Sequence, residues 1–347
     1  MPAIARLGAL AWLCIATPVA AAPPVPGPGD VFDGAYEIER KIGEGSGSIV
    51  YAARDLQGGG HVAIKWSKLP VSDGPKLSQR LEREYRAARK VEHPGIVHMQ
   101  RLGHHMGHVY LAMELLEGEP LSNVIERGPM EVAPAVDLVL EAMEAVAACH
   151  AHGVIHRDIK PGNIFVLAAD APGDARVKVI DFSLSKLQPD PGEIDLELTQ
   201  QGQVLGTPLY MAPEQIRHAG QVDVRADVYA FGVVLYRMLT QDYPLKGESY
   251  QDFLVRLATA APMPIQVRRK DLPKGLSVAV MRAIEHDRTH RFPDLAAFAS
   301  ALRPYSSTAP PPEGGRGYGT HALVAVCLLA LGAAVALWRA RRRRRGA

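Results

Sequence analysis

The sequence His156-Arg157-Asp158-Ile159-Lys160-Pro161-Gly162-Asn163 decides how the rest of the chain is interpreted. It places a carboxylate, an ammonium group and a carboxamide on one short loop. A carboxylate can accept a hydroxyl proton, a lysine can neutralise charge on a phosphoryl group in transfer, and an amide oxygen can bind magnesium. Asp158, Lys160 and Asn163 therefore indicate phosphoryl-transfer chemistry, and the sequence on either side of the loop tests this interpretation.

A glycine-rich segment lies upstream between two extended runs, Tyr36 to Ile42 and Val50 to Arg54. Its sequence is Gly43-Glu44-Gly45-Ser46-Gly47-Ser48-Ile49-Val50. Glycines let backbone N–H groups approach phosphate oxygens, although an ordinary hairpin turn is the commoner origin of such a segment. The apolar run Val62-Ala63-Ile64-Lys65 follows, and its lysine by itself would indicate only a solvated surface. The order of these segments along the chain is the informative observation.

The remaining segments follow in an equally definite order. A charged run from Leu77 to Lys90 is predicted to be a helix and carries Glu84, whose simplest interpretation is a solvated helix face. Downstream, the β-branched run Val177 to Ile180 ends at Asp181, which is followed by Phe182-Ser183. Three further segments complete the pattern: Gly206-Thr207-Pro208-Leu209-Tyr210-Met211-Ala212-Pro213-Glu214, Asp227-Val228-Tyr229-Ala230-Phe231-Gly232 and Arg291.

With these motifs in this order, the chain resembles a bacterial eukaryotic-like serine/threonine protein kinase from about Tyr36 to about Leu302. The resemblance implies an α+β, two-lobed protein kinase fold, with an antiparallel sheet plus helix C in the N-lobe and a mainly helical C-lobe. ATP would bind between the lobes with Mg²⁺, and serine or threonine hydroxyls of proteins would accept the phosphoryl group. Hydrophobic periodicity independently predicts helices from Val132 to His152, before Gly153, and from Arg225 to Leu239.

The resemblance also implies a role for each candidate site residue. Asp158 would accept the hydroxyl proton and Lys160 would offset charge on the γ-phosphoryl group, while Asn163 and Asp181 would hold magnesium. Lys65, paired with Glu84, would hold the phosphates of ATP. The other residues expected to contact ATP are Ile42, Gly43, Glu44, Gly45, Ser46, Gly47, Ser48, Ile49, Val50, Met113, Glu114 and Leu116.

Further residues would support or regulate this site. By resemblance, Asp227 anchors the backbone of the catalytic loop, and Glu214 and Arg291 form a buried ion pair. Arg157 can pair with a phosphorylated residue of the loop between Asp181 and Glu214, and Thr199 is the best candidate for that residue. Thr207 more plausibly serves structure and substrate choice. Lys160 and Thr207 together follow the serine/threonine pattern rather than the tyrosine pattern.

Two positions depart from the family pattern. Ser48 stands where the third glycine of the glycine-rich loop is usual, and Ser183 replaces the glycine of Asp-Phe-Gly. A side chain at either position reduces backbone freedom, but neither change removes a catalytic group. The favoured function is therefore an active kinase. The alternative is a catalytically weak or silent pseudokinase that serves as a nucleotide-binding interaction module.

Composition agrees with a folded enzyme. The 347 residues are 47% hydrophobic and 22% charged, which are values of globular proteins. The net charge of +2 gives no reason to expect nucleic acid as a partner. His104, His105 and His108 are expected in a hairpin turn rather than a zinc site. Three scattered cysteines are too few for a disulfide framework.

The two ends of the chain suggest a membrane. We predict a signal-like segment at 1–22, a Pro/Gly linker at 23–35, the kinase domain at 36–303, a linker at 304–321, a C-terminal transmembrane helix at 322–338 and an Arg-rich tail at 339–347. Arginines after the span would stay in the cytoplasm and place the domain outside, whereas the need for ATP favours a cytoplasmic domain. We favour the cytoplasmic side of a bacterial inner membrane. The expected partners are the membrane, protein substrates and, for autophosphorylation, a second copy of the chain.

Overall fold

The computed structural model describes residues 25–45, 47–72, 79, 81–82, 85–86, 89–171, 173, 175–181, 208–217 and 222–309. The chain divides into two compact units. Unit 1 contains the described residues up to Arg86 together with His98–Leu115, and unit 2 contains the other described residues.

Unit 1 is built on an antiparallel sheet with the strand order β1-β2-β3-β4-β6-β5. Its strands are β1 (Val31–Phe32), β2 (Tyr36–Glu44), β3 (Ser48–Asp55), β4 (His61–Ser67), β5 (Met99–His105) and β6 (His108–Glu114). Apolar residues alternate along β3 and β4, so that Ile49, Tyr51, Ile64 and Trp66 pack into one core. Beside this core, Leu81 packs with Val109 and Leu111 in a second cluster.

The first strand corrects the predicted linker at 23–35. Val31–Phe32 pairs with β2, and Phe32 is fully buried, with its ring 4.1 Å from that of His105 and 5.4 Å from that of Tyr110. Asp33 accepts a 2.7 Å hydrogen bond from the hydroxyl of Tyr110. The prolines and glycines around this strand prevent its recognition from the sequence. In the structure, burial of the Phe32 ring is enough to hold the strand in place.

The histidine-rich segment is a hairpin turn between β5 and β6, as predicted. His105 and His108 are cross-strand partners, and the turn residues Met106 and Gly107 have φ values of 49° and 78°. Positive φ at both central residues is the geometry that suits the twist of a two-residue hairpin. His108 is buried and its Nδ1 donates to the carbonyl of Ser67.

Unit 2 is mainly helical, with one small sheet. Its helices are α1 (Leu121–Glu126), α2 (Val132–Ala151), α3 (Pro213–Arg217), α4 (Arg225–Thr240), α5 (Tyr250–Thr259), α6 (Ile265–Arg268), α7 (Lys274–Ala283) and α8 (Leu295–Leu302). The sheet has the order β7 (Gly118–Pro120), β8 (Ile164–Leu167) and β9 (Val177–Val179). The shortness of these strands explains why helical periodicity dominates the sequence after Pro120.

Two long helices form the centre of unit 2 and confirm their predicted positions to within one residue. Helix α2 ends at Ala151, and Gly153 follows with φ 73°, the left-handed conformation in which glycine commonly ends helices. Helix α4 is buried along most of its length. A Cβ at Gly232 would lie 2.7 Å from Ile284 Cγ2, so glycine there allows α4 to pack closely against the end of α7.

No helix within the described ranges is long and apolar enough to cross a membrane. The predicted transmembrane helix at 322–338, the signal-like segment at 1–22 and the Arg-rich tail at 339–347 all lie outside the described residues. The described part of unit 2 continues past α8 through a 3₁₀ turn, Arg303–Tyr305, to Ala309.

Candidate active site

The glycine-rich segment of unit 1 is the hairpin between β2 and β3. The N–H of Gly45 donates to the carbonyl of Ser48 at 2.9 Å. Glu44 accepts from the ammonium groups of Lys41 at 2.7 Å and Lys68 at 2.6 Å. These hydrogen bonds, that from Lys41 first, lower the pKa of the exposed Glu44 carboxyl to about 2. The hairpin is therefore linked through Glu44 to the residue that follows β4.

Within this hairpin the strands reach further than the sequence indicates. Gly43 pairs with Val50 and Glu44 with Ile49, while Ser48, in place of the third glycine, begins β3 opposite Ser67. Among the other expected ATP contacts here, Ile42 lies exposed on β2 and Gly47 accepts a hydrogen bond from the N–H of Lys68. Ser46 lies outside the described residues.

Lys65 lies in the middle of the sheet of unit 1. Strand β4 holds it between Val50 of β3 and Leu111 of β6, and its side chain is half-buried. Because side chains alternate along a strand, Ala63 and Lys65 share one face. Glu84 lies outside the described residues, so its ion pair with Lys65 stays a prediction.

The segment expected beside adenine begins on β6. Met113 is buried and pairs with Ala63 of β4. Glu114 accepts a 2.7 Å hydrogen bond from the backbone N–H of His98. Leu116 follows two residues later and is partly buried.

The catalytic loop of unit 2 brings Asp158, Lys160 and Asn163 into direct contact. Lys160 Nζ lies 2.9 Å from Asp158 Oδ2. The amide Nδ2 of Asn163 donates to the same Oδ2 at 3.1 Å and to the Asp158 carbonyl at 2.8 Å. Asn163 ends a 3₁₀ turn, Pro161–Asn163, that folds it back toward Asp158. A nearly buried carboxylate is thus held by an ammonium group and an amide from its own loop.

His156 supports this loop from beneath as a neutral ring. Its Nδ1 accepts a 3.3 Å hydrogen bond from the N–H of Asp158, and its Nε2 lies 3.3 Å from the carbonyl of Ile180. The tautomer with hydrogen on Nε2 satisfies both contacts, whereas a doubly protonated ring would oppose the Asp158 N–H. Complete burial lowers the pKa of His156 below its ordinary value, which keeps the ring neutral.

Asp227, near the start of α4, anchors the loop backbone. Its carboxylate accepts from the N–H groups of His156 at 2.9 Å and Arg157 at 2.8 Å. His150 Nε2, in the last turn of α2, donates to it at 2.7 Å. Burial alone would raise the pKa of Asp227, but the hydrogen bond and charge of His150 lead the interactions that lower it below the ordinary range. His150 is a site residue that the sequence did not reveal.

Arg157 is held in an unusual conformation. Its φ is 64°, a left-handed value that costs energy in any residue with a side chain. Asp227 holds its N–H, and the amide of Gln215 on α3 donates to its carbonyl at 2.9 Å. Gln215 in turn accepts from the N–H of Ala212 at 2.9 Å, so it links the Ala-Pro-Glu segment to the catalytic loop. Burial lowers the pKa of the Arg157 guanidinium.

Asp181 follows strand β9 and Asn163 precedes strand β8, and these two strands pair. Ile164 of β8 is opposite Val179 of β9, and the N–H of Ile180 donates to the Asn163 carbonyl at 2.9 Å. Asp181 itself has φ 59°. Since the amide nitrogen of Asn163 donates to Asp158, its Oδ1 is the side-chain atom suited to a cation. One amide oxygen and one carboxylate are the kind of sparse oxygen set that suits Mg²⁺, which keeps waters and binds phosphates as well.

The described ranges contain no cluster of three or more His, Cys, Asp or Glu residues placed to hold a metal ion. The predicted regulatory and docking residues Thr199 and Thr207, and the departure Ser183, lie outside the described residues.

Glu214 and Arg291 form a buried ion pair in unit 2. The two guanidinium NH₂ groups meet the two carboxylate oxygens at 2.7 and 2.8 Å, and the Arg291 side chain is fully buried. Arg291 also donates to the carbonyls of Glu285 and Arg225, and its Cζ lies 4.9 Å from the ring centre of Tyr229. A bidentate pair with its other donors satisfied fixes the start of α3 against the segment after α7.

A model of the protein kinase domain family matches residues 36–285. The match covers most of the chain and agrees with the arrangement of the catalytic loop. The chain therefore belongs to the protein kinase family. Among curated proteins, serine/threonine-protein kinase pkn2 of Myxococcus xanthus is 37% identical over 275 residues, which are 78% of this chain and 32% of that protein. Serine/threonine-protein kinase PknB of Mycobacterium tuberculosis is 32% identical over 281 residues, 80% of this chain and 44% of that protein.

The chain is therefore of the bacterial eukaryotic-like serine/threonine type, as the sequence predicted. The matched part of the chain corresponds to 32–44% of the length of these curated relatives. The structure is also similar to the kinase domain of PknI from Mycobacterium tuberculosis, with a TM-score of 0.62 and 22% identity over 81% of this chain and all of that one. This likeness confirms the kinase fold of the domain.

Proposed function

We propose that this chain transfers the γ-phosphoryl group of ATP to serine and threonine hydroxyls of proteins. The observation that carries the proposal is the contact of Asp158 with both Lys160 and Asn163 on a loop held by the buried Asp227. The buried anchor fixes the backbone of this loop and so positions the Asp158 carboxylate. The family membership and the serine/threonine type of the relatives support the same activity.

Asp158 is the residue that would receive the hydroxyl proton. As the acceptor oxygen bonds to the γ-phosphorus, the bond from that phosphorus to the bridging oxygen breaks and ADP leaves with the electron pair. Lys160, already 2.9 Å from Asp158, would offset charge on the transferred group. Lys65, held in the middle of its sheet, would bind the phosphates of ATP.

Asn163 and Asp181 would hold Mg²⁺, and their donor atoms fit that ion as described above. When bound, the ion neutralises charge on the phosphate oxygens. The hydrogen bond from Asn163 to Asp158 means that the same amide group would both position the carboxylate and present an oxygen to the cation. We also propose Glu84 as the partner of Lys65.

The activity can be tested with the full chain, purified in detergent. Radiolabelled ATP with Mg²⁺ and a general protein substrate should give phosphoserine and phosphothreonine. Asp158→Asn keeps the shape but removes the base, and should lower kcat at least about 100-fold. Lys65→Met should abolish transfer. Asp170→Asn, the same substitution at an exposed position of unit 2, should change nothing. Binding of ATP by wild type without any transfer would favour the pseudokinase instead.

We propose that Thr199 is phosphorylated in the active protein, with Arg157 as its partner. The support is the position of Arg157, which is partly buried and directly precedes Asp158, with its backbone N–H held by Asp227. Mass spectrometry of active protein should find phosphate at Thr199, and Thr199→Ala should lower the rate at least about tenfold. Full activity of Thr199→Ala would reject this part of the proposal.

We propose that residues 322–338 anchor the chain in the bacterial inner membrane with the kinase domain in the cytoplasm. The support is an uncharged apolar segment after a Pro/Gly-rich linker, together with the domain's need for ATP. Deleting 322–338 should release the chain into the soluble fraction. Alkaline phosphatase fused after residue 303 should be inactive, and green fluorescent protein at the same place should fluoresce. The opposite pair of results would place the domain outside the cytoplasm.

A further inference from the structure

The described part of unit 2 ends with a clasp, which is the contact of Ser307 with Asp137 on helix α2. After the turn Arg303–Tyr305, the N–H of Ser307 donates to Asp137 Oδ1 at 3.0 Å, and its hydroxyl donates to Asp137 Oδ2. Both oxygens of one carboxylate thus hold one residue. Asp137 is buried on α2, whereas Ser307 is exposed. Ser307 lies beyond residue 285, where the match to the kinase family ends, whereas Asp137 lies within the match.

Asp137 shares this part of helix α2 with a second carboxylate. Glu141 lies one turn after Asp137 on α2 and accepts from the N–H of Arg176 at 3.0 Å. The guanidinium of Arg176 also pairs with Glu141 and lies 3.8 Å from Asp137. One exposed arginine therefore already serves two carboxylates. A further anion at Ser307 would face Asp137 at contact distance, beside an arginine that already pairs with two carboxylates.

Ser307 is the middle of three hydroxyl residues at an exposed end. Ser306 and Thr308 bond to each other through their hydroxyls at 3.1 Å, and Ser306 bonds back to the Arg303 carbonyl. These contacts are local, so Asp137 supplies the hydrogen bonds that tie this tripeptide to α2. Because the sequence continues into prolines and glycines from Pro310, the segment can extend once the clasp opens.

We propose that Ser307 is a phosphate-acceptor site, and that its phosphorylation opens the clasp and lengthens the tether between the kinase domain and the rest of the chain. The Ser307 hydroxyl oxygen would bond to the γ-phosphorus of ATP, the bond to the bridging oxygen would break, ADP would leave with the electron pair, and the hydroxyl proton would pass to the catalytic base. The inference rests on the proposed function, because the chain's own site supplies the phosphoryl group.

Phosphorylation of Ser307 would open the clasp by charge repulsion, and the opening would release a short length of chain. A dianionic phosphate cannot donate to Asp137 and repels it, so the Ser307 hydroxyl bond is lost and the N–H bond is weakened. Release of residues 306–309 would add reach on the order of 10 Å to the tether.

The test uses the full chain with ATP and Mg²⁺, and with a general protein substrate in the same reaction. Mass spectrometry should find phosphate at Ser307, and the backbone amides of residues 304–309 should then exchange hydrogen roughly 10- to 100-fold faster. Without ATP, Ser307→Glu should produce the same acceleration. Ser306, whose hydroxyl bonds locally to Arg303 and Thr308, does not take part in the contact with Asp137, so Ser306→Glu should change exchange little. In Asp137→Asn, charge at Ser307 should add no further acceleration.

The outcomes separate the inference from the proposed function. Phosphate on the general substrate but none at Ser307 would overturn the inference and leave the kinase activity standing. If neither the general substrate nor Ser307 carries phosphate, both the inference and the proposed function are overturned. Phosphate at Ser307 with unchanged exchange, or equal effects of Ser307→Glu and Ser306→Glu, would show that the contact with Asp137 does not control the exit of the chain.

Discussion

Asp227→Asn should loosen the anchor of the catalytic loop while leaving the catalytic side chains of the loop unchanged. The carboxylate accepts three hydrogen bonds, from His150 and His156 on Oδ2 and from Arg157 on Oδ1. An asparagine that keeps the two bonds to Oδ2 must present its NH₂ group to the N–H of Arg157. One buried donor then loses its partner, at about 1–3 kcal/mol. The other two bonds lose the charge of their acceptor, which raises the total to about 2–4 kcal/mol.

The loop should lose activity for a geometric reason. Arg157, with φ 64°, would lose one of the two backbone contacts that hold its left-handed conformation, and Asp158 is the next residue. A shift of about 1 Å at Asp158 should lower kcat about 100-fold with a smaller change in KM for ATP. Urea unfolding gives the stability and steady-state transfer gives kcat, with Asp170→Asn as the matched control.

Two results would refute this reasoning. Stability within about 0.5 kcal/mol of wild type would show that the three hydrogen bonds are not worth their estimated energy. An unchanged kcat in a destabilised protein would show that Asp158 does not depend on the anchor. The double variant His150→Phe with Asp227→Asn adds a further check. Because the two residues share one hydrogen bond, their effects on unfolding should be less than additive.

Three further predictions concern other buried groups. Arg291→Met should lower the free energy of unfolding by about 3–5 kcal/mol because Glu214 is left charged in a buried site, and adding Glu214→Gln should restore part of it; no recovery would contradict the pairing. Phe32→Ala should cost about 3–5 kcal/mol in urea unfolding, whereas the half-exposed Val31→Ala should cost far less; equal losses would speak against β1 as part of the domain. Because burial lowers the folded pKa of His156 below its ordinary 6.5, the unfolded chain binds more protons below that pH. Stability should therefore fall as pH drops from about 6.5 toward the folded pKa, and His156→Phe should flatten this slope in urea unfolding at pH 7.5 and 5.5; an unchanged slope would assign it to other groups.

The sequence alone predicted the features that depend on interactions between neighbouring residues. The hairpin at His105–His108 follows from Gly107 and its short turn, and helix α2 follows from a 3.6-residue period that stops at Gly153. The sequence also placed Asp158, Lys160 and Asn163 on one loop, because their spacing is short. These features depend on residues within a few positions of one another.

Strands β1, β7 and β8 were missed for the opposite reason. Val31–Phe32 is two residues long and lies between prolines and glycines, so neither periodicity nor composition marks it. Its stability comes from Phe32 packing against His105 and Tyr110, more than seventy positions away in the chain. Strand β7 has three residues and β8 has four, which is too short for an alternating pattern to emerge.

The catalytic loop shows how distant residues set local geometry. No residue within the loop explains why Arg157 adopts a positive φ, since its side chain disfavours that conformation. Asp227 on α4 and Gln215 on α3 hold its N–H and its carbonyl, and His150 on α2 in turn holds Asp227. Two helices therefore hold the backbone of Arg157 directly and a third holds it through Asp227, and Asp158 is the next residue. The loop sequence specifies the chemical groups, whereas the packing of α2, α3 and α4 specifies where the carboxylate lies. For this reason a substitution at Asp227 should disable catalysis as effectively as many substitutions that touch ATP itself.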